Sequence, residues 1–196
     1  MTYAKVGPAS GRVGLASTAK SDEAFINFRS QTVARLPAAD RIEHENECLE
    51  MGPSDGLLFW ADGNATDEMN SPPQTPVLSS SQIDGRHLWV VRERDVVHAA
   101  ERSPFGKNVE KGVIKHTNLT GGKAAYSGGE LIHLDETTVC LNGRSGRYGP
   151  KTAEEMKAVA IAFRKSGYHV WSYGYDDEAA QPYGFGNVDP IWVISR

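Results

Sequence analysis

The clearest periodicity in the chain begins at Thr152. Met156, Val159, Ala160 and Phe163 follow the i, i+3, i+4, i+7 spacing of a helix with one buried face. Thr152 and Glu155 form a capping box at its start, and Gly167 supplies a left-handed end. A second helix is predicted over 22–35, with Ser21 as N-cap, Phe25, Phe28 and Val33 buried, and Pro37 as its stop. A third, shorter helical stretch is expected over 40–51. Between these runs the apolar positions cluster at strand lengths. Leu57–Trp60, His87–Arg92, Gly112–His116, Glu130–Leu134, Thr137–Leu141, Tyr168–Ser172 and Pro190–Ile194 read as strands. Asp135-Glu136 joins two of them as a hairpin, and Asp95 caps a short helix through Glu101.

That order of elements predicts an α+β fold: a mixed sheet of about five to six strands with helices mainly on one face. The Gly-, Ala- and Ser-rich residues 1–20 read as a mobile arm. Residues 21–196 read as one domain, with an irregular or flexible segment at 52–86 marked by Gly52-Pro53, Gly63-Asn64, Pro72-Pro73 and a serine run. The chain has 196 residues, long enough to bury a core without disulfide or metal.

Charge and composition narrow the partners. The net charge is -4 and no basic run stands out, so nucleic acid is not an expected partner. No window approaches the length of a membrane span, so no membrane partner is expected either. Cys48 and Cys140 have no framework spacing and read as reduced thiols of a cytoplasmic protein, or of one exported without a cleavable signal.

Polar chemistry concentrates in two glycine-rich loops. The first runs from Lys115 to Lys123 and holds His116, Thr117, Asn118, Gly121 and Gly122. The second runs from Asn142 to Lys151 and holds Arg144, Ser145, Arg147, Tyr148 and Lys151, leading into the helix start at Thr152. Free N–H groups at a helix start and three nearby cations would suit a phosphate or other anion. The same arginines equally suit solvation. His116 at a strand end could act as acid or base, with Glu130, at the start of a strand after Ser127-Gly128-Gly129, as its partner. Equally, His116 could satisfy a backbone carbonyl, Thr117 and Asn118 could build a turn, and Glu130 could guard a sheet edge. Neither loop has the order of a Walker or dinucleotide motif, since Pro150 precedes Lys151-Thr152. No metal set and no cofactor is identified.

The segments Lys115–Gly122, Ser127–Leu131 and Asn142–Tyr148 together resemble a module of bacterial toxin- and effector-associated proteins. It also occurs beyond the IQ motif of plant calmodulin-binding IQ-motif proteins. In that module His-Ser-Ser/Gly-Gly is followed by Ala-Gly-Glu/Arg and then Ser-Gly-His-Tyr-x-Pro. Here Thr117-Asn118 replaces the serines, Arg147 replaces the histidine, and there is no IQ motif. A second resemblance, in residue order only, is to ADP-ribosyltransferases of the histidine–tyrosine–glutamate kind, through His116, Tyr148 and Glu178. The resulting expectation is an effector-like enzyme acting on a small phosphorylated ligand or nucleotide. The alternative is a non-catalytic inhibitor or immunity-type module that meets a protein partner through the acidic, aromatic loop 173–187.

Overall fold

The computed structural model describes residues 19–65, 71–109 and 112–194. All of the expected N-terminal arm except its last two residues lies outside them, as does the middle of the 52–86 segment. The elements are α1 (Lys20–Ser30), β1 (Leu58–Phe59), α2 (Ser80–Asp84), β2 (His87–Val91), β3 (Val96–Ala100), β4 (Ser127–His133), β5 (Thr138–Asn142), α3 (Ala153–Lys165), β6 (His169–Ser172), β7 (Tyr175–Asp176), β8 (Gln181–Pro182) and β9 (Ile191–Trp192). Seven strands form one mixed sheet in the order β1-β3-β2-β4-β5-β6-β9, and β7 pairs with β8 as a separate hairpin. Every junction of the large sheet is antiparallel except β5–β6, which α3 connects. The fold is therefore α+β around a mixed sheet. No described helix is long and apolar enough to cross a membrane.

The alternation of side chains along the strands divides the core between two faces. On one face Trp89, Val91, Leu131, Leu141 and Val170 pack against α1 and α3. Phe163 of α3 is the hub of that layer, with ring centroids 5.1 Å from Phe25, 4.8 Å from Trp60 and 5.1 Å from Trp89, all edge-on. The opposite face carries two separate apolar clusters. Leu88, Val90, Val97 and Ala99 are covered by Met51, Leu57, Ile114, Leu119 and Tyr148. Ile132, Cys140 and Trp171 are covered by Tyr173 and Trp192, with Ile83 of α2 packed against them. Cross-strand register puts Glu130 opposite both Leu88 and Asn142, so these two polar side chains lie on the face that carries both clusters.

Several elements differ from the sequence expectation, each for a local reason. α1 begins two residues early and ends at Ser30, well before Pro37, and Val33 is exposed. Its start is capped not by Ser21 but by Asp62, whose carboxylate accepts from Lys20 N–H at 2.9 Å and Ser21 N–H at 2.7 Å. Residues 96–100 form β3, not a helix. Asp95 closes the β2–β3 turn by a two-point ion pair with Arg92 at 2.6 and 2.7 Å, and the β-branched Val96-Val97 then pair with β2. Residues 112–116 form no strand, because Asn118 Oδ1 accepts the Lys115 N–H at 2.8 Å and turns the chain into a 3-10 helix over His116–Leu119. Two 3-10 turns, Ala39–Arg41 and Glu45–Cys48, replace the helix expected over 40–51. The serine run is a capped helix start: Ser79 and Gln82 form a capping box for α2.

The 52–65 stretch is stitched to the core. Trp60 Nε1 donates to Ser166 Oγ at 2.9 Å, Gly63 N–H to the Ser166 carbonyl at 2.9 Å, and Ala65 N–H to the Gly167 carbonyl at 2.8 Å. Two glycines make that approach possible. A Cβ on Gly63 would lie 2.2 Å from the Gly167 carbonyl oxygen, and Gly167 itself sits at φ +96°. Gly63→Ala is expected to destabilise the protein by about 1–3 kcal/mol through forced backbone displacement, read by urea unfolding.

His87, His98 and His133 gather beside Trp60 on the helix-bearing face, with ring centroids 5.1–6.1 Å apart and His87 Nδ1 2.9 Å from His98 Nδ1. Burial lowers all three imidazole pKa values, His98 to about 3, and the neighbouring rings lower His98 further. A histidine with a folded pKa below its unfolded value binds fewer protons when folded. Its stabilisation is therefore complete above pH ~6.5 and is lost as pH falls towards the folded pKa. Unfolding free energy is expected to fall by about 1.4 kcal/mol per pH unit for His98 alone between pH ~6 and ~4. Urea titrations across that range should show a shallower slope for His98→Gln.

Candidate functional site

The first glycine-rich loop lies over Leu88 and Val90, and its polar side chains are bonded largely within the protein. Asn118 is fully buried, and its side chain makes three bonds to backbone: Oδ1 accepts from Lys115 N–H, while Nδ2 donates to the Asn46 and Leu49 carbonyls at 3.0 and 2.9 Å. His116 is buried, and its Nε2–H donates to the Gly129 carbonyl at 2.9 Å. Burial lowers its pKa to about 4, with Arg147 and Lys115 acting in the same direction, so the ring is neutral near pH 7. Thr117 is fully buried, and its hydroxyl has no hydrogen-bond partner. Gly121 and Gly122 both adopt positive φ where the loop passes Glu50 and Cys48.

Gly128 and Gly129 explain how this loop and the next approach the sheet. A Cβ on Gly128 would meet Tyr148 at 3.1 Å and His116 at 3.3 Å, whereas one on Gly129 would fall 2.0 Å from the Asn142 carbonyl oxygen. Tyr148 is buried between the loops, its hydroxyl donating to the Lys123 carbonyl at 2.8 Å and lying 2.8 Å from Thr120 Oγ1. Ser145 Oγ accepts the N–H groups of Arg147 and Tyr148, at 3.3 and 3.0 Å. Arg147 turns inward to pair with the buried Glu47 and donates to the Arg41 carbonyl at 2.8 Å. Thr152 Oγ1 accepts from Glu155 N–H, and the Glu155 carboxylate accepts from Lys151 N–H, so the α3 start is capped by its own residues. Glu178 sits exposed on the β7–β8 turn with its N–H on Asp176 Oδ1.

A cleft of about 460 Å³ opens on this side of the molecule, lined by Arg41, Glu130, Arg144, Ser145, Lys151 and Gln181 among others. Four of the residues expected from sequence thus meet in one place: Glu130, Arg144, Ser145 and Lys151. His116, Thr117, Asn118, Gly121, Gly122, Arg147, Tyr148 and Thr152 do not line it. Arg144 reaches Gln181 Oε1 at 3.3 Å. Among the described residues Arg41, Arg144 and Lys151 have no carboxylate partner, whereas Arg86, Arg92 and Arg147 do.

Glu130 is held at both oxygens. Arg86 Nε lies 3.0 Å from Oε1, Asn142 Nδ2 donates to Oε2 at 2.9 Å, and Arg86 also pairs with Glu101 at 2.6 Å. Burial raises the Glu130 pKa, opposed by the Asn142 hydrogen bond and by Arg86. Asn142 holds both sides of the cleft, because its Oδ1 also accepts the backbone N–H of Glu130 at 3.2 Å and of Arg144 at 2.9 Å. Sequence reasoning missed Asn142, Arg86 and Arg41. A polar residue ending the apolar run of β5 was the one available signal, for Asn142. Arg41 is brought in by a strap distant in sequence and carries no local signature.

In loop 173–187 Tyr173 is buried with its ring 5.1 Å from Phe185, and Tyr183 and Phe185 pack against the Ile132–Trp171 cluster. The acidic residues Asp177 and Glu178 are exposed. Among the described residues no group of three His, Cys, Asp or Glu side chains could hold a metal ion. Comparison with protein-family models, with curated proteins and with solved structures finds no match to this chain.

Arg147 and Glu47 form a pair whose loss leaves one charge buried alone. Arg147→Ala is expected to cost about 3–5 kcal/mol in urea unfolding, and the double variant Arg147→Met with Glu47→Leu should recover most of it.

Proposed function

We propose that this protein is an enzyme that binds a small phosphate-bearing ligand in the cleft between Arg41, Arg144 and Lys151, with Glu130 as its acid–base group. The observation that carries the reading is the convergence of three cations lacking carboxylate partners among the described residues on one cleft whose floor holds a single half-buried carboxylate. Glu130 is already paired with Arg86 and feels the Arg144 charge as well, so one carboxylate faces an excess of cations at this cleft in a chain of net charge -4. Such a rim favours an anion, and a phosphate gives guanidinium groups a geometry they match. A cleft of about 460 Å³ has the size of a small-molecule site. A raised pKa brings Glu130 closer to the working range of a proton donor or acceptor.

His116 takes no direct part in this reading. It bonds the carbonyl of Gly129, the residue before Glu130, and its ring stays neutral.

Isothermal titration and thermal shift with inorganic phosphate test the proposal. Phosphate at ~100 times its dissociation constant should stabilise the protein by about 2.7 kcal/mol, a shift of several degrees. Arg144→Gln and Lys151→Gln should each abolish the shift at the same concentration, and Arg102→Gln, in an exposed ion pair, should keep it. An equal shift in all four proteins would sink the reading.

A further inference from the structure

We infer that the ligand of this cleft is a phosphorylated sugar or polyol, recognised by its phosphate and hydroxyl groups, and not a nucleotide recognised by its base. The inference rests on the phosphate reading above and narrows it.

Its first ground is what the lining lacks. Apart from the six residues named above, the cleft wall consists of Gly146, Gly149, Pro150, Ala180 and Pro182. None is aromatic and none is a large apolar side chain. A nucleobase is held by stacking on aromatic or guanidinium planes and by burial of its faces. Of the aromatic side chains of the neighbouring loop, Tyr173, Tyr183 and Phe185 are packed into the Ile132–Trp171 cluster, and Tyr175 packs against the helix-side core with its hydroxyl donating to the Lys151 carbonyl at 2.6 Å; none of the four lines the cleft. The planar groups on the lining are the guanidinium groups of Arg41 and Arg144, and that of Arg144 is held by Gln181 at its Nη1.

The second ground is what the floor offers. Glu130 Oε2 receives one hydrogen bond from the protein, from Asn142 Nδ2, whereas Oε1 is held by Arg86 Nε as an ion pair at 3.0 Å without a hydrogen bond, so both carboxylate oxygens have lone pairs to offer. The carboxylate lines the cleft, so those lone pairs can accept from a ligand. An ammonium group would suit a lone carboxylate, but Arg86 and Arg144 already act on this one and Arg41 and Lys151 line the same cleft, so a cationic donor is repelled. The donor that fits is neutral and polar: a hydroxyl. Ser145 and Gln181 add further neutral polar groups on the wall. A hydroxyl on an ionised carboxylate forms one of the stronger hydrogen bonds. A phosphate at the rim and hydroxyls reaching the floor describe a phosphorylated sugar or polyol.

Titration calorimetry on the full chain with four probes separates the alternatives: inorganic phosphate, methyl phosphate, ribose 5-phosphate and AMP. Ribose 5-phosphate is expected to bind at least about tenfold more tightly than methyl phosphate, and AMP no more tightly than ribose 5-phosphate. In Glu130→Gln the tenfold advantage of the sugar should vanish, while methyl phosphate binds as well as before or better. Should Glu130→Gln fail to fold, the wild-type ligand series decides alone. Equal affinity for methyl phosphate and ribose 5-phosphate would overturn the sugar inference and leave the phosphate site standing. AMP binding more than tenfold tighter than ribose 5-phosphate would overturn it in favour of base recognition. No binding of any probe, inorganic phosphate included, would overturn both readings.

Discussion

Backbone polar groups cannot be buried without partners, and this constraint shapes the face of the sheet turned away from α1 and α3. Much of that face is covered by loops and 3-10 turns, which satisfy few of their own N–H and C=O groups. Side chains supply the rest. Asn118 bonds three backbone groups across two segments, Asn142 bonds two, Ser145 bonds two, and the Tyr148 hydroxyl bonds one. Those bonds hold the 39–51 strap and both glycine-rich loops against the strands. The cleft lies among them, its carboxylate steadied by one of the same asparagines.

The same constraint separates two kinds of polar residue that look alike along the chain. Thr117, Asn118, Ser145, Arg147 and Tyr148 stand in glycine-rich loops, and their residue types suit ligand contacts. Four of them are fixed on the protein's own backbone and side chains, Ser145 alone of these also lining the cleft, and Thr117 is sealed inside without a partner. Arg144 and Lys151 stand in the same loop and face the cleft. A loop of hydrogen-bonding residues says that some backbone or ligand must be satisfied. Only the path of the strap over it says which.

This is also why some parts of the fold were legible in sequence and others were not. The amphipathic period of α3 and the apolar runs of β2, β4, β5 and β6 are local signals, and tertiary packing agrees with them. The α+β class followed from their order. β3 was misread because Asp95 looks like a helix cap when its bonds to Arg92 are unseen. Residues 112–116 were misread as strand because Ile114 is apolar and buried, whereas the decisive bond is made by a side chain three residues after Lys115. At the site, Glu130 and Arg144 were visible because charges beside glycines are conspicuous. Arg41 and Arg86 were not, because only the folded chain brings residues so far apart in sequence to one carboxylate and one cleft.

The large sheet ends at both sides on two-residue strands, β1 and β9, with Leu58, Phe59 and Ile191 exposed. Apolar side chains at a ladder's free edge invite a foreign strand to add itself. Neither border carries the row of charges that discourages this, since the exposed positions are leucine, phenylalanine and isoleucine. Brevity is what protects them. An incoming strand would find only two strand residues at each edge, with one further backbone hydrogen bond beyond them, too little to offset its own ordering. The molecule thus resists edge-to-edge self-association by offering templates too short to copy.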